Sequence, residues 1–220
     1  MPRAIIFDID GTLIDSVDGH AAAWVNTFRH FGLDVPFEAV RSQIGKGGDL
    51  LMPVFLSSDR IAGEGKAMEA YRGDLFKRRY LPEVRAFPGV RPLFERIRAD
   101  GKRIVLASSA KADELETYAG IAGVGDLVDA STSSSDAEHS KPYPDIVRAA
   151  VEKGSIGPAE AVMVGDTPYD AEAAAGAGVS TVGVLCGGWS EARLREAGCV
   201  AVYHDPADLL ARYDTSPLAG

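Results

Sequence analysis

The stretch "IIFDIDGTLIDS", residues 5–16, sets an apolar run directly against three aspartates. A short apolar run that stops at a Gly-containing polar turn reads as a buried strand and its exit loop. Asp8 and Asp10 lie two apart, so on an extended chain their side chains point the same way. A strand and a polar turn account for the glycine but not for like charges placed together. Carboxylates that share a site repel each other unless a cation or a shared proton holds them. The stretch therefore points to a metal site or an acid–base pair at the edge of a core.

Similar apolar runs ending in small or acidic residues recur along the chain. They are "RIVLASS" (103–109), "AVMVGDT" (161–167) and "STVGVL" (180–185), with a weaker one in "DLVDAS" (126–131) and an edge strand in "VAVY" (200–203). Helical patterns alternate with them over 89–101, 111–123, 144–154, 168–178 and 191–198. Strands alternating with helices of this length predict parallel βαβ units. The near-continuous apolar character of the strands predicts a sheet covered on both faces.

Residues 16–85 break that rhythm. For about seventy residues no second strand follows the first, and a structureless loop of that length is anomalous in a compact domain. Helical stretches fill it instead, "SVDGHAAAWVNTFRHFG" (16–32) and "GKAMEAYRGDLFKRRYL" (65–81), separated by "DVPFEAV" and "IGKGG". The expected organisation is an α/β core of residues 1–15 and 86–220 with a helical insertion over 16–85.

Composition narrows the classes of function. Lys and Arg number 23 against 32 Asp and Glu, a formal charge of −9. That balance argues against a nucleic-acid surface, which needs clustered cations, and means that an anionic substrate needs local positive charge. No apolar run reaches the ~18 residues of a membrane span, and the N-terminal run is too short for a signal peptide. Cys186 and Cys199 sit in no metal-ligand spacing, so a reducing, cytoplasmic setting is expected. Monomer and homodimer both stay open.

In an open parallel sheet, ligands bind beyond the carboxyl ends of the strands. The distinctive residues fall there: Asp8 and Asp10, then Ser108 and Ser109, then Asp166 in "GDTPYD". Lys141, in "HSKPYPD", precedes a helix start marked by prolines. Taken singly, "ASSA" reads as a helix N-cap, "SKP" as loop punctuation and "GDTPYD" as a turn with Asp170 capping a helix. Taken together, four segments bring three carboxylates, hydroxyls and an ammonium to one edge.

These segments resemble the motifs of the haloacid dehalogenase superfamily, specifically its phosphatases with a helical cap inserted after the first strand. "DIDGT" is similar to the first motif, "LASS" to the second, "SKPYPD" to the lysine motif and "VGDTPYD" to the last, all in family order. The resemblance implies a Rossmann-like parallel sheet with helices on both faces plus an α-helical cap domain. It also implies an Mg²⁺-dependent phosphatase of a small phosphorylated metabolite.

Residue by residue, Asp8 is then the nucleophile, forming an aspartyl-phosphate, and Asp10 the acid and base. Mg²⁺ takes the Asp8 and Asp166 carboxylates and the Asp10 backbone carbonyl, with Asp170 orienting a metal-bound water. Ser108 and the Ser109 N–H donate to the phosphoryl oxygens at a helix N-terminus. Lys141 neutralises the phosphoryl group and Asp8. Thr12 fixes the loop that aims Asp10.

In the cap, His20 and Lys46 are the expected substrate contacts. β-Phosphoglucomutases, which share this cap, carry a histidine at the position of His20 and an arginine in the next cap loop. Here that loop is "IGKGGDL" (44–50), without an arginine. A phosphomutase is thus the alternative reading. A haloalkanoate dehalogenase is disfavoured by Asp10 and Asp166, and a phospho-receiver protein by the helical insertion.

Overall fold

The computed structural model describes residues 1–219, with the backbone alone at residues 112 and 113. The chain divides into two compact units, Met1–Asp15 with Arg85–Gly220, and Ser16–Val84. Among the described residues the first unit holds six strands: β1 (Ala4–Phe7), β2 (Arg103–Ala107), β3 (Ala130–Thr132), β4 (Ala161–Gly165), β5 (Ser180–Val184) and β6 (Cys199–Tyr203). All pair in parallel, in the order β3-β2-β1-β4-β5-β6. Helices α1 (Val17–His30), α2 (Phe37–Arg41), α3 (Gly48–Leu51) and α4 (Ser58–Leu75) belong to the second unit. Helices α5 (Val90–Ala99), α6 (Ala112–Ala122), α7 (Asp145–Lys153), α8 (Pro168–Gly176), α9 (Glu191–Glu196) and α10 (Pro206–Ala211) return to the first.

Neighbouring residues of a strand point to opposite faces, and β1 shows what each face meets. Ile6 packs with Val105 and Met163 against Ile146 and Val147 of α7 and Ala173 of α8. Phe7 turns the other way, onto Phe94 of α5, with ring centroids 4.6 Å apart. Both side chains are fully buried, worth about 1.5–3 kcal/mol each. The sheet is an α/β Rossmann-like layer with helices on both faces, as its continuous apolar strands imply.

The order reverses at β1: β2 and β3 extend to one side, β4 to β6 to the other. Such a reversal opens a crevice at the carboxyl ends of the two central strands. Phe7 is in register with Val164, so Asp8 and Asp166 leave adjacent strands side by side.

Two element boundaries differ from expectation. The strand expected over 126–131 is Ala130–Thr132, because Gly125–Leu127 forms a 3-10 turn and the Asp129 carboxylate takes the Ile104 N–H at 2.8 Å. The helix expected over 65–81 starts at Ser58, where Ser57 accepts the Arg60 N–H as N-cap, and its last turn, Phe76–Tyr80, is π-helical.

The second unit carries its own core. Val17, Ala21, Trp24 and Phe28 recur along α1 at helical spacing and pack against Val40, Leu51 and Met68.

Candidate active site

The site begins one residue beyond β1. The Asp8 N–H donates to the Val164 carbonyl at 2.9 Å, which carries the β1–β4 pairing one step past the strand. The chain then turns tightly, with the N–H groups of Thr12, Leu13 and Ile14 converging on the Ile9 carbonyl. That turn places the buried Thr12 hydroxyl 3.1 Å from Asp8 Oδ2 and 3.1 Å from Asp166 Oδ1. A hydroxyl has one proton, so it can donate to only one of the two carboxylates at a time. The other needs a different source of positive charge.

Lys141 supplies part of it. Its Nζ, on a side chain 1% exposed, lies 2.5 Å from Asp8 Oδ1, 2.8 Å from Asp170 Oδ1 and 3.2 Å from the Ala107 carbonyl. It donates to Asp8 Oδ1 and to the Ala107 carbonyl, and meets Asp170 Oδ1 as an ion pair without hydrogen-bond geometry. Asp170 is held on its other side by the Thr167 N–H (3.0 Å) and hydroxyl (2.7 Å), a capping box at the start of α8. The plain reading of "GDTPYD" as a capped turn is thus correct, and the cap also steers a carboxylate toward Lys141. The glycine of that motif is required by the same approach: a Cβ on Gly165 would stand 2.6 Å from the Asp170 Cβ.

Oxygens of Asp8, Asp166 and Asp170 all lie within 4.8 Å of one another, and all three residues are buried. One ammonium against three carboxylates leaves two negative charges if all are ionised. Burial pushes the Asp8 carboxyl up to about 7, opposed by Lys141 and reinforced by the charges of Asp170 and Asp10. Asp166 is pushed well above the carboxylate range by burial, then by Asp8 and Asp170, against the pull of Thr12 and Lys141. Lys141 moves up: burial pushes it down, but Asp170 and Asp8 together outweigh that. Asp166 Oδ2 is buried with no hydrogen-bond partner among the described residues. An unpartnered buried carboxylate oxygen beside excess negative charge fits a hard divalent cation with oxygen ligands.

Asp10 is half-buried, bridges to Ile14 within the turn, and lies close enough to Asp8 for its charge to act there. Ser108 is buried at the end of β2, next to the Ala107 carbonyl that Lys141 holds. The helix expected over 111–123 is Ala112–Ala122, with Lys111 rather than Ser108 or Ser109 at its N-cap. The Ser108 hydroxyl accepts the Ala110 N–H (3.0 Å) and the Ala110 carbonyl accepts from Ser134 N–H (2.9 Å), so residues 108–111 form an open loop. Among the described residues neither serine bonds to the carboxylates.

In the helical unit, His20 stacks flat on Phe76, ring centroids 3.8 Å apart, and Lys46 Nζ lies 2.6 Å from Gln43 Oε1.

Two residues beside the site were not assigned to it from the sequence. The turn after β5, closed by the Gly188 N–H on the Leu185 carbonyl, carries Cys186 and Gly187. The Cys186 thiol donates to the Gly11 carbonyl at 3.1 Å and is pushed up by burial and then by the Asp166 charge. The signal was available: "VLCGGW" is another strand end opening into glycines.

The family model for haloacid dehalogenase-like hydrolases matches residues 2–178. A phosphoglycolate phosphatase of Nitrosospira multiformis is 32% identical over 209 residues, covering 91% of this chain and 90% of its own. Pyrophosphatase PpaX of Bacillus velezensis is 29% identical, covering 82% of each. A hydrolase from Pseudomonas syringae superposes with a TM-score of 0.90 at 27% identity, covering 98% of this chain and 99% of that one.

Proposed function

The chain belongs to the haloacid dehalogenase-like hydrolases and is a phosphoric monoester hydrolase, and on that basis we propose that it is an Mg²⁺-dependent phosphatase working through an aspartyl-phosphate on Asp8. The observation that carries this reading is the buried trio of Asp8, Asp166 and Asp170, countered among the described residues by Lys141. A nucleophilic carboxylate needs its charge balanced before it can approach an anionic phosphorus. The two residual negative charges equal the charge of one divalent ion.

Asp8 attacks the phosphorus, and the P–O bond to the substrate breaks. Asp10 gives its proton to the leaving alkoxide. It then takes a proton from the water that attacks the aspartyl-phosphate, which releases phosphate and restores Asp8. Lys141 holds the Asp8 oxygen that does not attack and neutralises charge as it builds. Ser108 and Ser109, at the mouth of β2, receive the phosphoryl oxygens. Asp8, Asp166 and the Asp10 carbonyl would hold Mg²⁺, which would supply the positive charge that lets two anions meet. Thr12 bridges Asp8 and Asp166, and Asp170 orients Lys141 and, with a cation bound, would orient water beside it.

The substrate is a small phosphorylated metabolite, and the named relatives act on phosphoglycolate and on pyrophosphate. Selection among such compounds falls to the helical unit Ser16–Val84, with His20 and Lys46 as contacts. A phosphate-release screen over 2-phosphoglycolate, pyrophosphate, sugar phosphates and nucleoside monophosphates, with and without Mg²⁺, tests the reading. Mg²⁺-dependent release from at least one is expected. Release that persists in EDTA, or none from any phosphate compound, contradicts it.

A further inference from the structure

The turn Leu185–Gly188 touches the site in two places that neither the motifs nor the proposed mechanism uses. Cys186 holds the Gly11 carbonyl, between Asp10 and Thr12 in the chain, and Gly187 lies against Asp166. A Cβ built on Gly187 would stand 1.7 Å from Asp166 Oδ2, 2.4 Å from its Cγ and 2.7 Å from its Cβ. No real Cβ contact is that short, so one of the two residues would have to move.

Asp166 cannot move cheaply. It is fully buried, and its other oxygen lies within hydrogen-bond reach of the Thr12 hydroxyl. The adjacent glycines serve different ends. Gly188 has φ +94°, a backbone conformation that glycine favours, whereas Gly187 is not among the residues with positive φ. Glycine at 187 is therefore demanded by space alone. What occupies that space is the one Asp166 oxygen without a hydrogen-bond partner, Oδ2. A Cα–H surface against an anionic oxygen offers no strong donor and leaves little room for water. The lone pairs of Oδ2 stay available to a cation.

We propose that Gly187 is a positioning residue for the metal: its missing side chain fixes the Asp166 carboxylate and keeps Oδ2 unsatisfied until a divalent cation binds. This inference rests on the metal reading above. Outer contacts of a metal ligand typically set affinity by about 10–100-fold.

The test uses the full-length protein and Mg²⁺ alone, by calorimetric titration and by the rise of Tm with Mg²⁺. Gly187→Ala is expected to weaken Mg²⁺ binding by about tenfold or more. Turnover of an aryl phosphate should return toward the wild-type kcat at high Mg²⁺, which damage to the fold would not allow. A double-mutant cycle in EDTA reads the contact without metal: in an Asp166→Gly background, adding Gly187→Ala should cost much less stability than it does alone. If Gly187→Ala does not fold, folding of Gly187→Ala/Asp166→Gly supports the contact, and failure of both overturns it. Wild-type Mg²⁺ affinity in Gly187→Ala, or equal penalties in the two backgrounds, also overturns it. A wild type that binds no Mg²⁺ overturns the metal reading first, before any variant is made, and this inference with it.

Discussion

Lys141 Nζ lies 2.5 Å from Asp8 Oδ1, and both side chains are buried, Lys141 to 1% exposure. The same ammonium holds Asp170 at 2.8 Å, so a single cation counters two carboxylates where water cannot. A buried ion pair adds little net stability, but breaking one from one side leaves an uncompensated charge.

Lys141→Met should therefore destabilise the metal-free protein by about 3–5 kcal/mol near neutral pH. The loss should shrink at low pH, where the raised Asp8 carboxyl takes up a proton. Urea unfolding in EDTA at pH 5 and pH 8 measures both. A change below about 1 kcal/mol at pH 8 would mean that the pair is solvated rather than buried.

The raised Asp8 carboxyl makes metal-free stability depend on pH. Its folded value, about 7, exceeds the ordinary 3.8, so the folded state holds this proton more tightly than the unfolded chain does. The corresponding stability is fully present below about pH 4 and is lost as pH rises through 7. Asp166, raised for the same reasons, acts in the same direction. Surface carboxylates held low by arginine or lysine, such as Asp126 beside Arg91, oppose this only in the more acid range. In EDTA the Tm should fall between pH 5.5 and pH 8. Saturating Mg²⁺ should remove or reverse the fall, because the cation favours ionised carboxylates. Identical pH profiles with and without Mg²⁺ would contradict the assignment.

Much of this site could be read from the chain, for a physical reason. Each of Asp8, Ser108 and Asp166 follows an apolar run, and in a parallel sheet the ends of such runs share one edge. The reversal of strand order at β1 then brings Asp8 and Asp166 together. What escaped depends on distances through space. The Ser108 hydroxyl bonds to Ala110 N–H rather than capping a helix, a choice between two local partners that propensity does not resolve. Helix α4 starts early because Ser57 caps it, while Gly63 and Gly65 weaken the helical pattern in between. Gly187 went unread, since nothing in its own neighbourhood names Asp166 as the residue it makes room for. That Lys141 meets Asp8, Asp170 and the Ala107 carbonyl at once became visible only once β2 and α8 were placed around it.

Hydrolysis should outrun phosphoryl transfer to a sugar. The loop "IGKGGDL" has no arginine to hold a second phosphate, and Lys46 already lies 2.6 Å from Gln43 Oε1. Incubation with β-glucose 1-phosphate and a catalytic amount of the bisphosphate should give free phosphate or no reaction. Accumulation of glucose 6-phosphate would promote the mutase alternative.

The roles assigned to Asp8 and Asp10 are the centre of the account, and one acid-quench experiment separates them. With an aryl phosphate, whose leaving group needs no proton, Asp10→Asn should form the aspartyl-phosphate and then stall. The missing general base slows water attack by ~10²–10⁴-fold. Asp8→Asn lacks the nucleophile, so it should form none. The predicted result is labelled phosphate trapped stoichiometrically on Asp10→Asn and absent from Asp8→Asn. Label on Asp8→Asn, or unstalled turnover by Asp10→Asn, would contradict the account.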